Sequence, residues 1–148
     1  RKITQGLCKI KLKLAKKLYV GNLNAKRDWG HAADYVKAQW LILQQKRPDD
    51  FVIATGKQHS VKQFIELVAK ELNIKIKWKG RGIKEKGYDQ KGNCIIECNK
   101  KYFRPLDVDT LIGNALKAKK ILKWKPEITF ISLIKEMVKK DLNKLRSK

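Results

Sequence analysis

Cysteine, histidine, proline and arginine are scarce in this chain of 148 residues, and long apolar runs are absent. The cysteines number three, at positions 8, 94 and 98. An odd count, with no apolar export signal opening the sequence, reads as reduced thiols in a cytoplasm. Cys94 and Cys98 have no His or further Cys near enough in sequence to complete a zinc set, so no metal is expected. The longest apolar runs are Trp40-Leu41-Ile42-Leu43 and Phe51-Val52-Ile53-Ala54, far short of the ~20 residues that cross a bilayer, so no membrane is expected either. A GxGxxG loop, a P-loop, a GxSxG elbow and an HExxH helix are all missing. His31 and His59 are far apart and read as a helix-start residue and a residue before a cap. The residues alone therefore hold no self-contained catalytic apparatus.

What is present is a soluble globular mix, 43% hydrophobic and 34% charged, of a length that suits one domain or a tight pair. The net charge of +22 first suggests nucleic acid. Yet of the 36 basic residues only those at 1, 27, 47, 81, 104 and 146 are arginine. Readers of phosphates and bases favour the arginine fork. The lysines form no dense block, and a general Lys, Ile and Asn bias of an AT-rich genome accounts for them. Nucleic acid is not the expected partner.

Ile3, Leu7, Ile10 and Leu14 form one stripe, predicting a helix over about 2–17. Leu18-Tyr19-Val20 reads as a short strand, 21–30 as a Gly/Asn loop and 31–45 as a helix stopped by Pro48. Phe51–Ala54 suits a strand buried on both faces. Ser60 and Gln63 form a capping box for a helix striped by Val61, Phe64, Ile65, Val68 and Leu72. Ile74, Ile76 and Trp78 alternate with lysines as in a half-exposed strand. Residues 79–93, rich in Gly and charge, read as a mobile surface loop, and Cys94–Glu97 as a short strand. Pro105 bars a helix across its position. A helix is expected over 114–123, and another from an N-cap at Thr129 to about Arg146. The order of strands and helices says α/β.

In a lysine-rich chain the arginines are informative. Arg27 lies in a glycine-bounded loop beside Asp28 and Trp29, and Arg104 lies between aromatics and a proline. Such forks fit bidentate phosphate contacts. A structural Arg–Asp pair, or stacking on Trp29, fits Arg27 as well.

The segment 17–32 (KLYVGNLNAKRDWGHA), continuing to Asp34-Tyr35-Val36 and Trp40, resembles the C-terminal half of the GDP-mannose 4,6-dehydratases, which are extended short-chain dehydrogenase/reductases. The likeness continues through 49–56 (DDFVIATG), His59-Ser60-Val61, Tyr102-Phe103-Arg104-Pro105, Val108-Asp109, Lys117-Ala118-Lys119, Trp124-Lys125-Pro126 and 135–138. The resemblance implies an α/β fold of mixed short strands and helices, the C-terminal part of such an enzyme, lacking most of the Rossmann domain. Residues 1–148 would be its nucleotide-sugar-binding portion, with about 51–56 contributing a strand to the missing Rossmann sheet. The family's activity is an NADP-dependent lyase reaction of fucose biosynthesis, from GDP-mannose to GDP-4-keto-6-deoxymannose. Its glycine-rich loop, its Thr and Glu and its Tyr-x-x-x-Lys pair would lie upstream of Arg1. The cofactor NADP would be bound mainly there, and this portion alone would be inactive.

The family's substrate contacts carry over by motif. Arg27 and Arg104 would clamp the GDP pyrophosphate. Asp107 stands where the family has Glu, a ribose contact that Asp reaches one methylene short. Lys2 and Asn22 are further candidates for the nucleotide end. Asn24, Asn114 and Ile131 also depart from the family pattern, away from the clamp. The resemblance further implies a cytoplasmic, homo-oligomeric full-length protein. The competing reading is a stand-alone basic module that binds nucleotide-sugar or nucleic acid.

Overall fold

The structure, a computed structural model, describes residues 1–103 and 110–147. In chain order its elements are α1 (Lys2–Lys11), β1 (Leu18–Val20), β2 (Lys26–Arg27), α2 (Ala32–Leu43), β3 (His59–Ser60), α3 (Val61–Glu71), β4 (Lys77–Lys79), β5 (Lys86–Tyr88), β6 (Cys94–Cys98), α4 (Leu116–Ile121) and α5 (Phe130–Arg146). They fall into two compact units, one of Arg1–Ala25, Ser60–Asp109 and Ile134–Lys148, the other of Lys26–His59 and Thr110–Leu133. The α/β expectation is met.

The first unit is built on a mixed sheet in the order β1-β6-β5-β4. β1 runs parallel to β6, with Leu18 beside Ile96 and Val20 beside Cys98. β5 is antiparallel to both β6 and β4. The helices present the stripes their spacing predicts: Leu7 of α1, Phe64, Ile65 and Val68 of α3, and Ile134 and Val138 of α5 are all buried. The capping box at Ser60 and Gln63 forms as expected, the Gln63 N–H donating to the Ser60 hydroxyl at 3.0 Å and the Ser60 N–H to the Gln63 side chain at 2.9 Å. Thr129 likewise caps α5, accepting the Ser132 N–H at 3.1 Å.

Several stretches differ from the sequence reading. α1 ends at Lys11 rather than about 17, because Lys13 takes a left-handed φ of 61°. The Leu14 N–H then reaches the Lys9 carbonyl at 2.8 Å and the Lys13 N–H the Ile10 carbonyl at 3.0 Å, a Schellman closure that throws Leu14 off the stripe into solvent. Residues 79–93 are not a loop throughout, since they hold a short 3₁₀ turn and β5. Gly87 serves packing there: a Cβ would lie 3.1 Å from Ile76 and Trp78 and 3.2 Å from Ile96. The helix expected over 114–123 is reduced to α4.

The second unit centres on Ala38 of α2, Ala118 of α4, Leu122 and Trp124, flanked by Tyr35, Leu41, Ile42, Phe51 and Ile53. The Trp124 indole N–H donates to the Asp34 carbonyl at 2.9 Å, and the buried Asp34 carboxylate accepts the Ile128 N–H at 3.0 Å. β2 lies beside β3, the strand at which the chain leaves this unit. Phe51–Ala54, expected as a strand buried on both faces, forms no strand among the described residues, and Val52 is exposed, because nothing described pairs with that backbone.

Candidate functional site

In the second unit the 26–31 motif (KRDWGH) is bound to the turn after the apolar run. The Asp28 carboxylate accepts the Gly56 N–H at 2.8 Å, the Thr55 N–H at 3.2 Å and the Thr55 hydroxyl. Three donors on one carboxylate fix the two loops together. The Trp29 ring stacks on Phe130, centroids 5.6 Å apart, and Phe130 stacks on His59 at 4.1 Å. Burial among these rings lowers the His59 pKa, Asp28 opposing and Lys57 adding to the shift. A small cavity of about 130 Å³ opens against this stack, bordered by Thr55, Lys57 and Ile128. His31 caps α2, its Nδ1 accepting the Ala33 N–H at 3.0 Å. Both histidines therefore have structural tasks, as their positions suggested.

Arg27 projects from β2, half-buried, and donates from Nη1 to the Lys26 carbonyl at 2.7 Å. The neighbours that the sequence offered it are engaged elsewhere: Asp28 holds Thr55 and Gly56, and Trp29 holds Phe130.

In the first unit Lys2 meets Tyr102, and the backbone next to Asn22 passes close to it. The Lys2 ammonium sits over the Tyr102 ring, 3.2 Å from its centroid, and burial lowers its pKa. Asn22 comes just after β1 and closes a turn, its side-chain oxygen accepting the Asn24 N–H at 2.9 Å. The backbone passes Tyr102 so closely that a Cβ at Gly21 would lie 2.1 Å from the Tyr102 carbonyl oxygen. The Asn99 N–H donates to the Val20 carbonyl at 2.9 Å, so the chain turns out of parallel β1 and β6 side by side. Ligands of α/β proteins gather at such carboxyl ends of strands. Arg104 and Asp107 lie outside the described residues. Tyr102 is not among the candidates that the sequence singles out, because a ring beneath an ammonium group 100 positions away leaves no mark in local spacing.

Among the described residues no cluster of three His, Cys, Asp or Glu side chains could hold a metal. Nor do they form a phosphate cradle for a dinucleotide: Gly80 and Gly82 have positive φ, but they lead into a 3₁₀ turn and β5, not an α-helix N-terminus.

The chain is 51% identical over 148 residues to a GDP-mannose 4,6 dehydratase of Dictyostelium discoideum, covering 99% of this chain and 42% of the relative. It is 45% identical to the human GDP-mannose 4,6 dehydratase, covering 99% of this chain and 40% of that one. It thus spans about two fifths of the length of these relatives. Among solved structures, RMD from Pseudomonas aeruginosa complexed with NADPH matches with a TM-score of 0.76 at 17% identity, over 96% of this chain and 41% of that one. The dTDP-glucose 4,6-dehydratase of Bacillus anthracis in complex with NAD matches at 0.67 and 21%, over 96% of this chain and 39% of the other. At those identities the likeness shows the fold alone. A family model described as GDP-mannose 4,6 dehydratase matches residues 1–137, and the chain belongs to that family.

Proposed function

We propose that this chain is the nucleotide-sugar-binding portion of an enzyme that converts GDP-mannose to GDP-4-keto-6-deoxymannose. The observation that carries the reading is the 51% identity to a GDP-mannose 4,6 dehydratase along the whole chain. Arg27 and Arg104 would each give a planar fork to the GDP pyrophosphate. Asp107 would accept from the ribose hydroxyls, and Lys2 and Asn22 would approach the nucleotide end. The loop geometry supports the part given to Arg27, because the Asp28 anchor fixes the backbone from which that side chain extends. NADP, for which the described residues form no glycine-rich cradle, is assigned to the portion of the relatives' length that this chain does not span, as are the catalytic residues.

The same reading gives Phe51–Ala54 a place in a larger sheet. That run is apolar and without a strand partner among the described residues. No described helix is long and apolar enough to cross a membrane, and a cytoplasmic, homo-oligomeric full-length protein forms part of the proposal.

Calorimetric titration of GDP-mannose tests it. Binding at low ionic strength is expected, with Arg104→Ala and Arg27→Ala each weakening it at least tenfold, about 1.4 kcal/mol. Affinity that survives both substitutions would overturn the clamp. A measurable dehydratase turnover by this chain alone would overturn the assignment of the chemistry elsewhere.

A further inference from the structure

One cleft of the first unit has no part in the nucleotide-sugar reading. It encloses about 740 Å³ between the end of α1, the α3–β4 turn and the β5–β6 turn. That volume falls within the usual range for small-molecule sites. Its rim carries Lys11, Lys13, Lys16, Lys17 and Lys91. Its floor is apolar, with Ile10, Ala15, Ile74 and the buried Ile95. None of Lys2, Asn22 and Arg27 lines it.

The charge balance of this cleft decides what it suits. Lys17 is neutralised by Glu97 at 2.8 Å. Lys11, Lys13, Lys16 and Lys91 form no ion pair among the described residues. The one carboxylate on the lining, Asp89, is consumed by its own turn: it accepts the Lys91 N–H at 2.9 Å, the Asn93 N–H at 2.8 Å and the Asn93 amide at 3.0 Å. Those bonds, with Lys91 nearby, hold its pKa below the usual carboxylate range, so it stays charged and turned to its own loop. α1 and α3 also end at the cleft, each contributing about half a negative charge at most. Both ends are already closed by Schellman bonds, Leu14 N–H to Lys9 carbonyl at 2.8 Å and Ile74 N–H to Ala69 carbonyl at 2.8 Å. Four ammonium groups without ion pairs thus face one occupied carboxylate and two weak dipole ends. An apolar floor beneath them lowers the local dielectric and strengthens attraction for an anion.

From this juxtaposition we infer that the cleft between α1, the α3–β4 turn and the β5–β6 turn binds a small anion carrying several phosphate groups, at a place that none of Lys2, Asn22 and Arg27 lines. Lysines rather than arginines suit a ligand whose charge is spread over several phosphates, since each ammonium acts as a mobile point charge. The bounded volume suits a small molecule better than a nucleic-acid strand. The inference does not depend on the nucleotide-sugar reading.

Inorganic tripolyphosphate is the probe, titrated calorimetrically into the chain at constant ionic strength. Two triple variants separate the cleft from the general field of a very basic protein. Lys13→Glu with Lys16→Glu and Lys91→Glu changes the cleft; Lys135→Glu with Lys139→Glu and Lys144→Glu makes the same charge change on exposed positions of α5. The first is expected to weaken binding more than about tenfold, as like charges come to face the anion, and the second less than about threefold. Ala15→Trp fills the cleft without altering charge and should abolish binding while leaving the thermal transition in place. Equal weakening by the two triple variants would show attraction to net charge alone and overturn the inference. So would binding that survives Ala15→Trp, which would place the probe at another site, the proposed pyrophosphate clamp included.

Discussion

The Thr4 hydroxyl donates to the Asp141 carboxylate at 2.6 Å across 137 positions of sequence, joining the first helix to the last. Both residues are buried, and the Arg1 guanidinium, itself exposed, lies 3.7 Å from the other carboxylate oxygen. Thr4→Val keeps the shape and removes the donor, leaving a buried carboxylate short of one partner. The expected loss is about 1–3 kcal/mol, a fall in Tm of roughly 3–10 °C for a chain of this size. Thr4→Ser should recover most of it. Calorimetry of the two variants checks this, and a Thr4→Val protein as stable as the parent would show the bond to contribute nothing net.

The same carboxylate governs Cys8. Burial, and secondarily the Asp141 charge, push the Cys8 thiol up to about 11. Burial also raises Cys98, whereas Cys94 is half-buried. At pH 8 the Cys8 thiolate is then on the order of one part in a thousand, and reactivity tracks thiolate and access. Iodoacetamide on the native protein should add one label, at Cys94, and three labels after unfolding. Mass spectrometry of the intact and digested protein reads the result. Early labelling of Cys8 would contradict the burial of the α1–α5 contact.

These contacts mark what spacing can and cannot foretell. The stripe of Phe64, Ile65 and Val68 and the capping box at Ser60 are legible, because helix period and cap chemistry act within a few residues. The ends of α1 and α4 are not, since Lys13 and Lys123 adopt left-handed backbone that their side chains do not advertise. The loop expected over 79–93 is only partly there because glycine does not always signal freedom: Gly87 instead admits Ile76, Trp78 and Ile96. The site is legible only in part. Arg27 stands out as an arginine in a glycine-bounded loop, but the Asp28 anchor on Thr55 and Gly56, and the meeting of Lys2 with Tyr102, depend on contacts between distant segments.

His59 gives a pH dependence whose sign can be worked out. Burial lowers its folded-state pKa below the ordinary 6.5. Between the two pKa values the unfolded chain binds more protons, so stability rises with pH there. His59 therefore contributes stability that is present above pH 6.5 and is lost as pH falls through the folded pKa. Tm should drop from about pH 7.5 to about 5, and part of that slope should vanish in His59→Phe, which keeps a ring against Phe130. An unchanged slope in that variant would remove His59 as its source.

Left-handed lysines offer a stabilising change. Lys123, just after α4, has a φ of 53°, and Lys13 one of 61°. A residue with a Cβ is strained by about 1 kcal/mol in that region, and glycine is not. Lys123→Gly should therefore relieve about 1 kcal/mol of strain against about 0.5 kcal/mol for the added freedom of the unfolded chain, a net gain of about 0.5 kcal/mol. Urea denaturation measures it, and a destabilised variant would mean that the lysine stem contributes more packing than the strain costs.

The last prediction concerns α2. Its inner side packs Ala38 and Tyr35 into the second unit's core, yet Val36, Trp40 and Leu43 form a second stripe that is 61%, 60% and 81% exposed. A helix apolar on both sides is one that is normally covered on both. Val52, 55% exposed in a run without a strand partner among the described residues, extends the unprotected surface. The chain by itself should therefore self-associate as concentration rises, seen by light scattering. Trp40→Lys with Leu43→Lys should shift it toward monomer, and because both side chains are exposed, Tm should move by no more than a few degrees. In a protein of the relatives' full length, Trp40 should be shielded from acrylamide quenching. Association that ignores both substitutions would mean that the bare stripe is not what brings copies together, and the expectation of a covering partner segment would lose its physical basis.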